Sequence, residues 1–382
     1  MRRHAYDSDQ YETHETYIKG REMKQDLGYR RIQRTGRGSY IVSLPKEWVL
    51  DVELERGNEL DFEVQDDSSL LLVPRKVLEG RKTSKETGLR ECSVLVDRKD
   101  DPESVCRRVS SLYAISADLI HLRFKSGKIP LGHRAALNNL CKNLLLGSEI
   151  IGETSDEITL QVLINHPDFP VERAIRRMNV LALSANRDSI LALGNMDKSV
   201  AESIAEICND VERLNLYVIR QLKYGLERNL FKELGFKSPK EFLGYRIVAN
   251  EIKSIAHNAL NIANSIAALK NMIEDQSLLL NVPLDEELSS QVLEFNSKAQ
   301  SHFEQSLSAL FKRDYDHADR LISDMKHLTG LANELTTVML SKKMDPNVSS
   351  IFRLILDSSR RIIEYGRNVA EVTLNRTVEE IS

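Results

Sequence analysis

Aromatic residues are scarce in this chain, 6% of 382. Hydrophobic residues make up 41% and charged residues 29%, a profile of long, charge-faced helices more than of an aromatic-rich sandwich. Cysteine is sparse too. Cys92, Cys106, Cys141 and Cys208 stand far apart with no C-x-x-C pair, which removes a disulfide framework and a zinc knuckle and predicts thiols kept reduced in the cytosol. No apolar run approaches the roughly 18 residues of a membrane span, and residues 1–27 hold no apolar stretch of the secretory kind. A cytoplasmic protein with no membrane span is expected. Neither G-x-x-x-x-G-K-[ST], H-E-x-x-H nor G-x-S-x-G occurs, so the chain offers no phosphate loop, metallohydrolase helix or nucleophile elbow and is read as not an enzyme.

What the chain does have is uneven charge. The net charge is −4, yet residues 28–48 carry Arg30, Arg31, Arg34, Arg37 and Lys46 against Glu47 alone. Residues 49–75 reverse this, with eight acids against Arg56 and Arg75. A local basic patch in an acidic protein is a better signal of DNA contact than global basicity, because only the contacting face must neutralise phosphates.

At roughly 100–200 residues per domain the length points to two or three domains. Residues 1–27 are polar, of mixed charge and without period, and read as a flexible arm. Residues 28–78 read as short strands: RRIQRT, a Gly36-Arg37-Gly38 turn, YIVSL, a short helix KEWVLDV opened by Pro45, an Arg56-Gly57-Asn58 turn, then ELDFEV and LLLVPR. Leu60, Phe62 and Val64 alternate with acids, which predicts one buried face and one wet one. About fifty such residues have too small a core to stand alone, and intertwining two copies solves that. Residues 90–166 follow the order βαβαββ, an α+β domain with no ligand motif.

From residue 170 to 380 the pattern is helical. Val248, Ile252, Ile255, Ala259, Ile262 and Ile266 recur at steps of three and four, the seam of a bundle helix. Ile351, Ile355, Ser358, Ile362, Tyr365, Val369 and Val372 follow the same rule. Ala192, Leu193, Asp197, Ala201 and Leu214 also recur as Ala309, Leu310, Asp314, Ala318 and Leu331, and Arg246, Ile255, Asn261 and Ala263 as Arg353, Ile362, Asn368 and Ala370. Two tandem three-helix units are expected, over residues 170–275 and 282–380, with helices of about 25–30 residues. The first unit has the longer second connection, LERNLFKELGFKSPKE. The acidic run Asp314 to Asp319 straddles an expected helix start, where the dipole favours acids.

Residues 29–76 resemble the SpoVT/AbrB-type swapped-hairpin DNA-binding domain. The basic first strand, the Gly-Ser-Tyr-Ile-Val turn into Ser-Leu-Pro-Lys-Glu-Trp and the Arg-Gly-Asn-Glu-Leu turn carry the likeness. It implies an obligate homodimeric barrel that sets arginines of both chains against double-stranded DNA, and the residues expected there are Arg30, Arg31, Gln33, Arg34, Arg37 and Lys46. Arginine suits the task, since its fork pairs with phosphate and reaches guanine edges. Lys46 also serves the helix start, and Trp48 is expected in the core.

Residues 170–380 resemble the PhoU family, particularly a type whose first unit carries a segment like Asp210-Val-Glu-Arg213-Leu-Asn-Leu-Tyr-Val-Ile-Arg220-Gln221-Leu222. The joined layout is similar to archaeal phosphate-uptake regulators. The whole is therefore expected to be multidomain: a small swapped-hairpin β-barrel, a middle α+β domain and an all-α PhoU-like tandem three-helix bundle. The family's usual metal ligands are carboxylates in Glu-Arg-Ile-x-Asp-His on the third helix of each unit. Here the aligned residues are Lys253-Ser-Ile-Ala-His257-Asn and Arg360-Arg361-Ile-Ile-Glu364-Tyr, so no metal and no cofactor is expected. Lys253, Arg360 and Arg361 are instead marked as an anion site. The function implied is a dimeric DNA-binding regulator of phosphate uptake whose helical domain receives the signal from a ligand or from a transporter or signalling partner. The alternative is a PhoU-like adaptor that restrains a phosphate ABC transporter, with the barrel serving dimerisation alone.

Overall fold

The computed structural model describes residues 28–36, 38–64, 68–75, 89–125, 127–164, 169–195, 197–275 and 285–381. The expected arm of residues 1–27, and Arg37, lie outside them. The chain divides into two compact units, Met1–Ser93 and Val94–Ser382.

The first unit holds β1 (Gln33–Arg34), β2 (Tyr40–Ile41), α1 (Lys46–Asp51), β3 (Leu60–Val64) and β4 (Leu70–Pro74). β1 pairs antiparallel with β2 and β3 with β4, in two separate two-stranded sheets. The first turn closes where Thr35 N–H donates to Ser39 O at 2.9 Å and Gly38 N–H to Thr35 O at 3.1 Å. Gly38 sits at φ +89°, which only glycine adopts cheaply. Gly57, at φ +96°, does the same for the second turn, where the Asn58 side chain accepts the Glu55 N–H at 2.9 Å. β1 and β2 are much shorter than the six- and five-residue strands expected. An isolated hairpin is marginal without a third strand or a packed face, and among the described residues neither is supplied to β1 and β2. Phe62 and Val64, expected on the buried face of β3, are 63% and 74% exposed. Trp48 is half-buried rather than core, and α1 buries no residue.

The second unit opens with an α+β layer. Its strands are β5 (Glu91–Val96), β6 (Leu119–Phe124), β7 (Ser148–Glu153) and β8 (Glu157–Val162), and its helices α2 (Pro102–Ala114) and α3 (Leu131–Asn143). The sheet order is β5-β6-β8-β7, with β8 antiparallel to both neighbours and a bulge in β7 between Ile150 and Gly152. Alternation sets the buried face: Ile158, Leu160 and Val162 of β8 point inward with Ile120, Leu122 and Phe124 of β6. α2 starts where the Asp101 carboxylate accepts the Ser104 N–H at 3.0 Å, just before Pro102, and buries Val105, Val109, Leu112 and Tyr113.

Six helices complete the unit: α4 (Val171–Asn195), α5 (Val200–Glu227), α6 (Glu241–Glu274), α7 (Glu286–Lys312), α8 (Tyr315–Ser341) and α9 (Pro346–Ile381). α4, α5 and α6 pack mutually, as do α7, α8 and α9, and α6 and α9 join the two sets. The third helices, of 34 and 36 residues, exceed the expected length. Residues 228–240 connect α5 to α6, whereas 342–345 suffice between α8 and α9. The α6 seam from Val248 to Ile266 is wholly buried. Asp314 is the N-cap of α8 and accepts the His317 N–H at 3.0 Å, which accounts for an acid at that point.

Candidate nucleic-acid interface and the joints of the helical unit

Arg30, Arg31, Gln33, Arg34 and Lys46 are all exposed. Arg31 precedes β1, Gln33 and Arg34 form it, and Lys46 is the first residue of α1. Arg30 donates to the Tyr29 carbonyl at 3.0 Å. Register sets Gln33 opposite Ile41 and Arg34 opposite Tyr40. A guanidinium and an aromatic ring therefore share one face of this hairpin, and an amide and Ile41 the other. Ile32 and Tyr40 are each 71% exposed. The β3–β4 hairpin adds a second open apolar face, because Phe62 pairs with Leu72 and Val64 with Leu70. Chemically the segment offers fixed positive charge beside uncovered apolar area.

The anion-site residues fall on two helices, Lys253 on α6 and Arg360 with Arg361 on α9. Arg360 is engaged: one terminal nitrogen donates to Ala332 O at 3.2 Å, Asn333 Oδ1 at 3.0 Å and Thr336 Oγ1 at 2.9 Å on α8. Arg361 is exposed and Lys253 half-buried. His257 Nε2 meets Glu212 Oε1 of α5 at 2.8 Å. Among the described residues no three His, Cys, Asp or Glu side chains converge as a metal set. The positive charges of Lys253 and Arg360 disfavour a cation beside them.

Two buried joints hold the second unit together, and sequence reasoning gave neither a role. Arg220 of α5, 4% exposed, reaches into the α+β layer. It donates to Tyr113 O at 2.9 Å, Ala117 O at 2.6 Å and Asp118 Oδ1 at 2.6 Å, and lies over the Tyr113 ring at 5.0 Å. Ser116 returns a hydrogen bond to Arg220 O at 3.1 Å. Burial pushes the Tyr113 hydroxyl above its usual range, Arg220 only partly opposing it. The second joint is Glu241, in the first turn of α6. Arg313 donates to both its oxygens at 3.1 and 3.0 Å, and Arg376 pairs with it as well. Arg376 also donates to Tyr245 Oη at 3.0 Å and Leu310 O at 2.9 Å. A charge inside a run of buried positions was the available signal: Tyr217 to Leu222 are all buried and Arg220 is the one cation among them.

Residues 33–79 match the MazE family, described as antidote-toxin recognition, bacterial antitoxin. Residues 175–266, spanning α4 to α6, match the PhoU domain. The chain carries a MazE/AbrB-type domain and a PhoU domain. Among solved structures, the phosphate transport system regulatory protein PhoU from Streptococcus pneumoniae is similar at 15% identity and a TM-score of 0.43, over 56% of this chain and 95% of its own. PhoU from Pseudomonas aeruginosa is similar at 16% identity and a TM-score of 0.37, over 55% of this chain and 96% of its own. No curated protein matches the chain. The PhoU match covers the helices that carry both Arg220 and Glu241, and the MazE match begins at Gln33 of β1. Among the described residues no helix is long and apolar enough to cross a membrane.

Proposed function

We propose that this protein is a cytoplasmic, homodimeric DNA-binding regulator of phosphate homeostasis, whose MazE/AbrB-type domain contacts the duplex and whose PhoU domain receives the signal. The observation that carries the reading is the solvent-open apolar surface of the first unit, Ile32, Tyr40, Phe62 and Val64, lying within the same fifty residues as the basic cluster. Apolar area left open on both hairpins marks an interaction surface, and a second copy covers it with identical chemistry under two-fold symmetry. Dimerisation then doubles the cluster of Arg30, Arg31, Gln33, Arg34, Arg37 and Lys46. That supports a contact with double-stranded DNA in which arginine forks meet phosphates and guanine edges, at half-sites related by approximate two-fold symmetry.

The test is binding of full-length protein to genomic fragments upstream of phosphate-uptake genes, over a range of salt. The wild type is expected to select particular fragments. The Arg31→Ala/Arg34→Ala/Arg37→Ala variant is expected to lose that selection and flatten the salt slope by about one unit per phosphate contact removed, while remaining dimeric. Unchanged affinity and slope would remove the DNA assignment, and association with a phosphate transporter without selective DNA binding would favour the adaptor alternative.

A further inference from the structure

Between α2, α3 and α5 lies a cleft of about 510 Å³, within the roughly 300–1,000 Å³ of small-molecule sites. It sits where the α+β layer meets the helical bundle. Leu140 of α3 and Leu144 just after it give it an apolar lining. The polar groups are Glu103 and Arg107 from α2, Asn139 and Asn143 from α3, and Asn209 and Glu212 from α5.

The charged part of this set is net negative. Two carboxylates face one guanidinium, and Arg107 already stands 3.7 Å from Asp101 and 3.8 Å from Glu103 on its own side of the cleft, while the three amides offer donors and acceptors alike and two of them are joined, Asn143 Nδ2 donating to Asn139 Oδ1. Glu212 meets His257 through Oε1, and the Asn209 amide has no partner among the described residues. The Cys106 thiol in the lining reports the same field: burial raises it first, Glu103 and Asp101 raise it further, and Arg107 opposes them. A site of this balance repels phosphate and other anions and attracts donor-rich cations.

We propose that this cleft binds a small organic cation, a primary amine or guanidine, and that its occupancy is felt by the PhoU domain. The coupling is mechanical. α5 supplies one wall through Asn209 and Glu212 and, about 12 Å further along its axis at roughly 1.5 Å per residue, carries Arg220, whose guanidinium is fixed in the α+β layer. A ligand held between α2, α3 and α5 therefore stiffens the joint that Arg220 makes. The proposal goes beyond the DNA-binding reading and stands without it.

Calorimetric titration of the full-length protein with agmatine and with putrescine tests it, at about 0.15 M salt where long-range attraction is screened. Inorganic phosphate and succinate serve as the anionic probes. At least one cation is expected to bind saturably, one per chain. The Glu103→Gln/Glu212→Gln variant is expected to weaken that binding at least about tenfold, whereas Glu294→Gln, on an exposed stretch of α7, leaves it unchanged. Asn209→Trp, at an exposed helical position, blocks the cleft with both carboxylates in place, and loss of binding in that variant at an unchanged melting temperature separates occlusion from misfolding. The proposal is overturned if neither cation saturates, if the double variant or the Asn209→Trp variant binds as the wild type does, or if phosphate or succinate saturates the same cleft.

Discussion

Replacing Arg220 with methionine keeps a side chain of similar length in α5 and removes the three hydrogen bonds its guanidinium makes to the α+β layer. Three acceptors lose their donor: the carbonyls of Tyr113 and Ala117 and the carboxylate of Asp118. Breaking a buried pair from one side costs about 3–5 kcal/mol. Asp118 retains Arg228 at 3.7 Å and is more open to water than Arg220, which places the expected loss near the lower end, about 3 kcal/mol. For a unit of this size that corresponds to a melting temperature lower by about 6 °C. Asp118→Asn leaves both carbonyls bound to Arg220 and costs less, about 1–2 kcal/mol. Because the two residues share one network, the double variant is expected to fall short of the summed losses by about 1 kcal/mol or more. Urea denaturation followed by far-ultraviolet dichroism measures all three variants, and amide exchange adds a local check, since residues 113–118 should exchange faster in Arg220→Met. A loss under about 1 kcal/mol for Arg220→Met, or strict additivity in the double variant, refutes the assignment of Arg220 as the joint.

Three further outcomes are expected. Gly366→Ala places a Cβ at 2.6 Å from His302 Nδ1 and 3.3 Å from Ser306 Oγ, so it should destabilise by about 1–3 kcal/mol; Gly330→Ala, with open space at its Cβ, should gain up to about 1 kcal/mol from helix propensity, both read from denaturation midpoints. Burial raises the Glu251 carboxyl, against the Asn368 amide that donates to it, so the folded state binds its proton more tightly than the unfolded chain and stability falls as pH rises from the unfolded value through the folded one. Glu251→Gln keeps an acceptor for Asn368 and should melt higher than the wild type at pH 7, the difference vanishing below about pH 4. Elemental analysis of protein purified without an affinity tag should find iron and zinc well below one per chain; near-stoichiometric metal that disappears with Glu364→Gln would refute the reading of Lys253, His257 and Arg360.

Elements whose burial is decided within one layer could be read directly. β8 alternates and its three apolar residues point inward; the α6 seam recurs at three and four and is buried throughout. Asp314 could be read as a helix start because capping is a local interaction. The first unit was legible in its order of elements and not in its burial. Alternation at Leu60, Phe62 and Val64 records a face that needs covering, and nothing in the described residues of that unit covers Phe62 or Val64. Arg220 was illegible for another reason: its ion-pair partner is 102 residues away and two of its acceptors are backbone carbonyls, which leave no mark on residue type. The cleft of α2, α3 and α5 draws its polar groups from helices that read, one at a time, as ordinary solvated surface.

The position of Glu241 bears on which partner each half of the tandem repeat can accept. A duplicated three-helix unit is in principle two exchangeable modules, each able to pair with a copy of itself. Here the first module contributes the carboxylate and the second both guanidiniums, Arg313 and Arg376. A first module paired with its own copy would enclose carboxylates with no counter-ion, and a second module paired with its own copy would enclose guanidiniums alone. Each self-pairing carries the several kcal/mol of an uncompensated buried charge, so the unlike charges of the two halves favour their pairing with each other over either symmetric pairing.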